Sequence, residues 1–205
     1  RPVKEHDTLL LGDITDAQGR VIRCGDVVQL ELLKPRPVAP HVEDWTADLL
    51  RHRPQVVRRL EGERRDAFLA RHLDPAPAEV IERHERSLCL VRPDDLWAFF
   101  RHDPYTNKYE ARMGFELSGA RDPKANSSRG IPVTDLAWRA QGRRWLGDAG
   151  ETLQLDRAGL LERLGAQEIY LALGLSRAFQ GEYWLMVIGV HPAPEYSVQI
   201  DYRQM

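Results

Sequence analysis

In the stretch KYEARMGFEL, Lys108 to Leu117, every second residue is apolar: Tyr109, Ala111, Met113, Phe115 and Leu117. Successive side chains of a strand point to opposite faces, so this spacing predicts one face on a core and one in water. The wet face carries Lys108 and Arg112. Just upstream, LWAFFRHD runs through PYTN, a turn-forming tetrapeptide, so residues 95 to 118 are expected to form a hairpin. Trp97 and Phe99 must face away from Phe100; the larger pair is expected inside, and Tyr109 shares the core face with Met113 and Phe115.

The same reading extends along the chain. TLLLGDI and DVVQLELL, separated by the turn-like DAQGR, predict extended structure, with Val28, Leu30 and Leu32 on one half-buried face. KPRPVAP has three prolines in seven residues and reads as a connector, followed by Trp45 as an anchor. From Pro54 to about Leu73 the pattern predicts a helix, with Pro54 in its first turn and Val57, Leu60, Phe68 and Leu73 on one face. Asp74 is expected to cap a second helix along Val80, Ile81 and His84. SLCLV has the look of a central strand, and GARDPKANSSRG of a mobile polar loop. IPV predicts a short strand, and TDLAWRAQGRRWL a helix with Thr134 or Asp135 at its N-cap. Asp156 should cap RAGLLERL, which Gly165 ends. EIYLALGL and YWLMVIGV, joined by SRAFQGE, form a closing hairpin. Grouped short strands without regular strand–helix alternation predict a mainly β chain (α+β overall) built on small barrels, not a parallel α/β sheet.

Several of these segments also occur together in a known family. The opening RPV, GDVVQLELLKPRPVAPHVEDW, SLCLVRPDDL, the KYEARMGFEL strand leading to IPVTD, and YLALGLSRAFQGEYWLMVIGV resemble the bacterial dual OB-containing domain family, in the same order. The resemblance implies two OB-like β-barrels in tandem. Residues 1–50 would form the first, 51–86 a helical insertion and 87–205 the second. Members of that family have strands before the RPV segment, so the first barrel is expected to be incomplete. OB barrels serve both as nucleic-acid binders and as protein-docking modules, so fold alone does not choose between them.

Composition adds constraints. Formal charge is −2 over 205 residues, so no global field draws the chain to nucleic acid or membrane, and any anion site must come from local clustering. Residues 51 to 71 hold seven Arg against three acids, a stretch expected to be a solvated face. Residues 121 to 144 hold Arg121, Lys124, Arg129, Arg139, Arg143 and Arg144 against Asp122 and Asp135. Cys24 and Cys89 form no CxxC and read as small core residues of a cytoplasmic protein. No apolar run reaches the length of a membrane span. No signal peptide opens the chain, and its start at RPVKEHD without a methionine predicts a processed, truncated or partly disordered N-terminus.

Single-stranded nucleic acid needs cations along its phosphates and rings under its bases. The candidates are Lys108, Arg112, Arg121, Lys124 and Arg129, with Trp97 and Tyr105 for stacking. A non-enzymatic binding module for single-stranded nucleic acid or nucleotide follows as the expectation, with a protein-interaction or scaffold module as the alternative. Thr134–Asp135 invites a catalytic reading, but a helix N-cap explains it more simply. His6–Asp7, His102–Asp103, His72 and His84 lack zinc-site spacing, and no P-loop, GxSxG or dinucleotide motif occurs. Neither metal nor cofactor is expected.

Overall fold

A computed structural model describes residues 1–5, 8–149 and 151–202, which form two compact units: Arg1–Ala67 with Glu85–Ser87, and Phe68–His84 with Leu88–Met205. The first contains β1 (Pro2–Val3), β2 (Asp26–Gln29), β3 (Leu32–Pro35), β4 (Trp45–Ala47) and β5 (Gln55–Arg59). They make two small sheets, β1–β4–β3 and β2–β5, not one closed barrel. Prolines aside, the buried hydrophobic side chains of this unit among the described residues are Ala47 and Leu49, whereas Asp13, Asp16, Asp44 and Arg65 are buried. Polar contacts therefore carry much of its order. The Leu10 N–H (2.7 Å) and Lys4 (3.1 Å) hold the Asp13 carboxyl below the usual carboxylate range.

Several expectations are corrected in this unit. TLLLGDI is not a strand; its second half is a 3-10 turn, Leu11–Ile14. DVVQLELL is not one strand either, because β2 pairs with β5 while β3 turns to β4. Trp45, expected as an anchor, lies on β4 and is 39% exposed, so it is not a core residue. Cys24 is exposed, and only Cys89 is a buried thiol. The helix expected from Pro54 begins later, as α1 (Gly62–Arg71); the β-branched pair Val56–Val57 belongs to β5 instead.

In the second unit α2 is short (Ala78–Ile81), and Asp74 makes an Asx turn to the Ala76 N–H (2.9 Å) in place of capping it. The strands are β6 (Leu88–Val91), β7 (Asp95–Asp103), β8 (Lys108–Glu116), β9 (Ile131–Pro132), β10 (Thr152–Leu155), β11 (Glu168–Leu175) and β12 (Leu185–Ala193). They form the sheets β10–β7–β8–β9 and β12–β11–β6, joined by a parallel bridge between Val133 and Val187. SLCLV, expected as a central strand, therefore ends its sheet as β6. Counting β6 as first, β7 and β8 are the second and third strands of a partly open OB barrel, and residues 176–184 form the loop between the fourth and fifth. β10 is an added edge strand that the sequence pattern did not suggest.

Helices α3 (Leu136–Ala149) and α4 (Arg157–Leu164) cover this sheet system. Trp138 and Trp145, seven residues apart, lie on one stripe of α3. Their rings meet edge-on at 5.6 Å, and Phe100 of β7 lies 5.7 Å from Trp138 and 6.0 Å from Trp145. Gly142 sits between them, where a Cβ would run into the Phe100 ring and the Tyr109 hydroxyl. Asp156 caps α4 through the Gly159 N–H (2.8 Å), and Gly165 closes it in the left-handed region at φ 61°. No helix among the described residues is long and apolar enough to cross a membrane, which leaves β-barrel membrane proteins unaddressed.

Candidate nucleic-acid interface

β7 turns its larger rings outward. Leu96, Ala98 and Phe100 are fully buried, so Trp97 and Phe99 stand half-exposed on the opposite face, contrary to the expectation that the larger pair fills the core. The reason lies across the sheet. Phe100 fits the space left by Gly142, whereas Trp97 lies opposite Gly114 of β8, where any Cβ would strike its indole. Glycine at that cross-strand position gives the indole room to lie against the sheet. The indole N–H donates to the carbonyls of Ser127 and Ser128, each at 3.1 Å.

Four cations line this face. Arg112 is the cross-strand partner of Phe99 and donates from Nη2 to the Gly130 carbonyl (2.7 Å) and from Nε to that of Arg129 (3.3 Å). Burial, and then Arg129 beside it, push the Arg112 guanidinium below its ordinary pKa. Arg129 lies 5.7 Å from the centre of the Phe99 ring and pairs with Glu110 at 2.7 Å. Lys108 stands further along the same face, 3.9 Å from the other Glu110 oxygen. The exposed Arg101, opposite Glu110, completes the row.

The remaining candidates lie elsewhere. Lys124 caps the exposed Trp184 ring at 4.1 Å, which ties the 117–130 loop to the loop between β11 and β12. Arg121 is held at its main-chain N–H by Glu82 (2.6 Å), and its exposed side chain has no ion pair among the described residues. Tyr105 is 98% exposed at the hairpin tip, beyond the row of rings. The 117–130 loop, expected to be mobile, is laced by its own bonds: Asp122 accepts from the Lys124 and Ala125 N–H groups, and Asn126 donates to the Phe115 carbonyl. Trp97, Arg112, Arg129 and Lys108 are thus brought together, while Tyr105, Arg121 and Lys124 are not. Phe99, expected in the core, joins them, as do Arg101 and Trp184, neither of which was singled out from the sequence.

Two further basic residues of 121–144 are spent on packing. Arg139 and Arg143 flank the buried Tyr109 ring at 5.2 and 4.2 Å, and the Tyr109 hydroxyl donates to the Arg139 carbonyl (3.0 Å). Burial pushes the Tyr109 phenol well above its ordinary pKa.

Asp135 is the helix N-cap. One carboxylate oxygen accepts from the Ala137 (2.8 Å) and Trp138 (3.2 Å) N–H groups, and the other from Val190 (2.8 Å) in β12. Burial pushes its carboxyl up against these three donors, which pull it down. Asp135→Asn leaves one of the two acceptor positions occupied by an amide donor. It is expected to lower stability by about 1–3 kcal/mol in urea unfolding. An unchanged midpoint would show that the Val190 contact contributes nothing.

His102 faces the Asn107 side chain at 2.9 Å, and Asp103 accepts from the Tyr105 N–H; the two do not form a dyad. His6 and Asp7 lie outside the described residues. Among the described residues no group of three His, Cys, Asp or Glu side chains could hold a metal ion.

A partly open barrel with rings and guanidinium groups on its second and third strands belongs to the OB class of binding modules. The family model for the dual OB-containing domain matches residues 1–190, and the chain is a member of that family. No curated protein and no solved structure matches it.

Proposed function

We propose that the second unit binds single-stranded nucleic acid across the outer face of β7 and β8. One observation carries the reading: Trp97 and Phe99 face outward beside Arg112 and Arg129, although burying such large rings would be the default use of an alternating strand. Successive outward residues of a strand are spaced about 6.8 Å apart, so the two rings offer adjacent platforms for bases. Arg101, Arg112 and Lys108 run alongside for the phosphates. Single-stranded DNA and RNA are both accommodated, because every base has a stacking face.

The test is fluorescence anisotropy with a labelled oligothymidylate of about 15 nucleotides, titrated at several salt concentrations. Binding is expected at low salt and should weaken steeply as salt rises, through counterion release. No binding to single-stranded DNA or RNA at low salt removes the proposal.

A second reading is supported by the first unit, where Leu32, Leu33, Val38, Val42, Trp45 and Val57 are all exposed. Exposed apolar side chains in that number suit a protein partner better than a polyanion. The two readings concern different units and do not compete for residues.

A further inference from the structure

α3, α4 and the segment that follows β12 enclose a cleft of about 350 Å³ in the second unit, lined by residues that the β7–β8 face does not use. Three of them, Gln141, Arg144 and Trp145, share one face of α3. Arg163 comes from α4, and Tyr196 and Ser197 from the C-terminal segment.

Two features set this cleft apart from an ordinary surface dent. Arg144 and Arg163 are both exposed, and the lining holds no carboxylate. Two guanidinium groups on a single cleft without a lining carboxylate concentrate positive charge. Arg163 additionally sits 6.0 Å from the centre of the Trp145 ring, which holds it toward the cleft. The second feature is Gln141. It is only 7% exposed, yet its side-chain amide forms no hydrogen bond among the described residues. The amide is not an orphaned buried group: it opens onto the cleft, where its donor and acceptor face whatever enters. A cleft-lining amide is satisfied when something polar enters.

We propose that this cleft binds a small phosphate monoester. The paired guanidinium forks suit the dianionic phosphate, with its several acceptor oxygens. The Gln141 amide, both donor and acceptor, suits a hydroxyl group of the organic part. The volume falls at the small end of ligand pockets and suits a sugar phosphate rather than a dinucleotide.

The experiment is isothermal titration calorimetry of the full chain at low salt with ribose 5-phosphate, with ribose and inorganic phosphate as comparators. Ribose 5-phosphate is expected to bind one per chain, inorganic phosphate more weakly and ribose not at all. Arg144→Gln with Arg163→Gln should weaken ribose 5-phosphate about tenfold or more, since charge-assisted hydrogen bonds to the phosphate are lost. Gln141→Leu changes no charge and should still weaken it about threefold or more. Both arginines are exposed, so circular dichroism should report an unchanged fold in the double variant. Absence of heat from ribose 5-phosphate with the folded chain overturns the proposal. So does affinity that is the same in the variants, or that ribose matches. No nucleic acid enters this assay, so its failure and that of the β7–β8 interface are read separately.

Discussion

Trp138→Ala is expected to lower the free energy of unfolding by about 3–5 kcal/mol, the range for truncating a fully buried aromatic side chain. Trp138 has no exposed surface and meets Phe100, Trp145 and Tyr196 at 5.7, 5.6 and 6.5 Å. Alanine would leave a cavity walled by rings from three separate segments, which cannot all collapse inward together. The indole N–H is buried and donates to no acceptor among the described residues. Trp138→Phe therefore removes ring area without orphaning a partner, and should cost markedly less than the alanine variant. Urea unfolding followed by circular dichroism compares the two. A loss below about 1 kcal/mol for Trp138→Ala would contradict a core centred on this ring.

The second large effect concerns binding. Trp97→Ala combined with Phe99→Ala is expected to weaken oligothymidylate by about 2–4 kcal/mol, the sum of two modest stacks. The dependence of affinity on salt should be retained, because every cation remains. Arg101→Gln with Arg112→Gln should do the reverse, flattening the salt slope by about 1.4 while the stacks persist. If either pair changed both quantities alike, the rings and cations would not be acting as separate platforms and phosphate contacts. Trp97 also holds the Ser127 and Ser128 carbonyls, so unfolding midpoints of each variant are needed beside the affinities.

Where the local pattern was strong, the sequence was enough. The β7–β8 hairpin, the Asp135 and Asp156 caps, the Gly165 stop and the closing hairpin all follow from alternation or capping chemistry. The failures have distinct physical origins. Gln55–Arg59 reads equally well as helix or strand, and its pairing with β2, across nearly thirty residues, decides the matter. β10 is a four-residue edge strand whose only instruction is its partner β7. For LWAFFRHD the alternation was visible but not its sense, because apolar residues occupy both phases. Gly114 and Gly142, one on each side of the sheet, choose the phase, and neither announces itself without knowing what it faces. The charge count over 121–144 was correct but uninformative about geometry, since Arg139 and Arg143 stack on Tyr109 and Lys124 on Trp184.

The indole of Trp97 is seated on a glycine and tethered by two carbonyls before any ligand arrives. Such a side chain has already surrendered its rotational freedom during folding, so docking a base against it demands no further ordering. A loose surface tryptophan would surrender that freedom at each encounter. On the proposed reading, the β7–β8 face would meet a flexible strand with all the disorder on the partner's side.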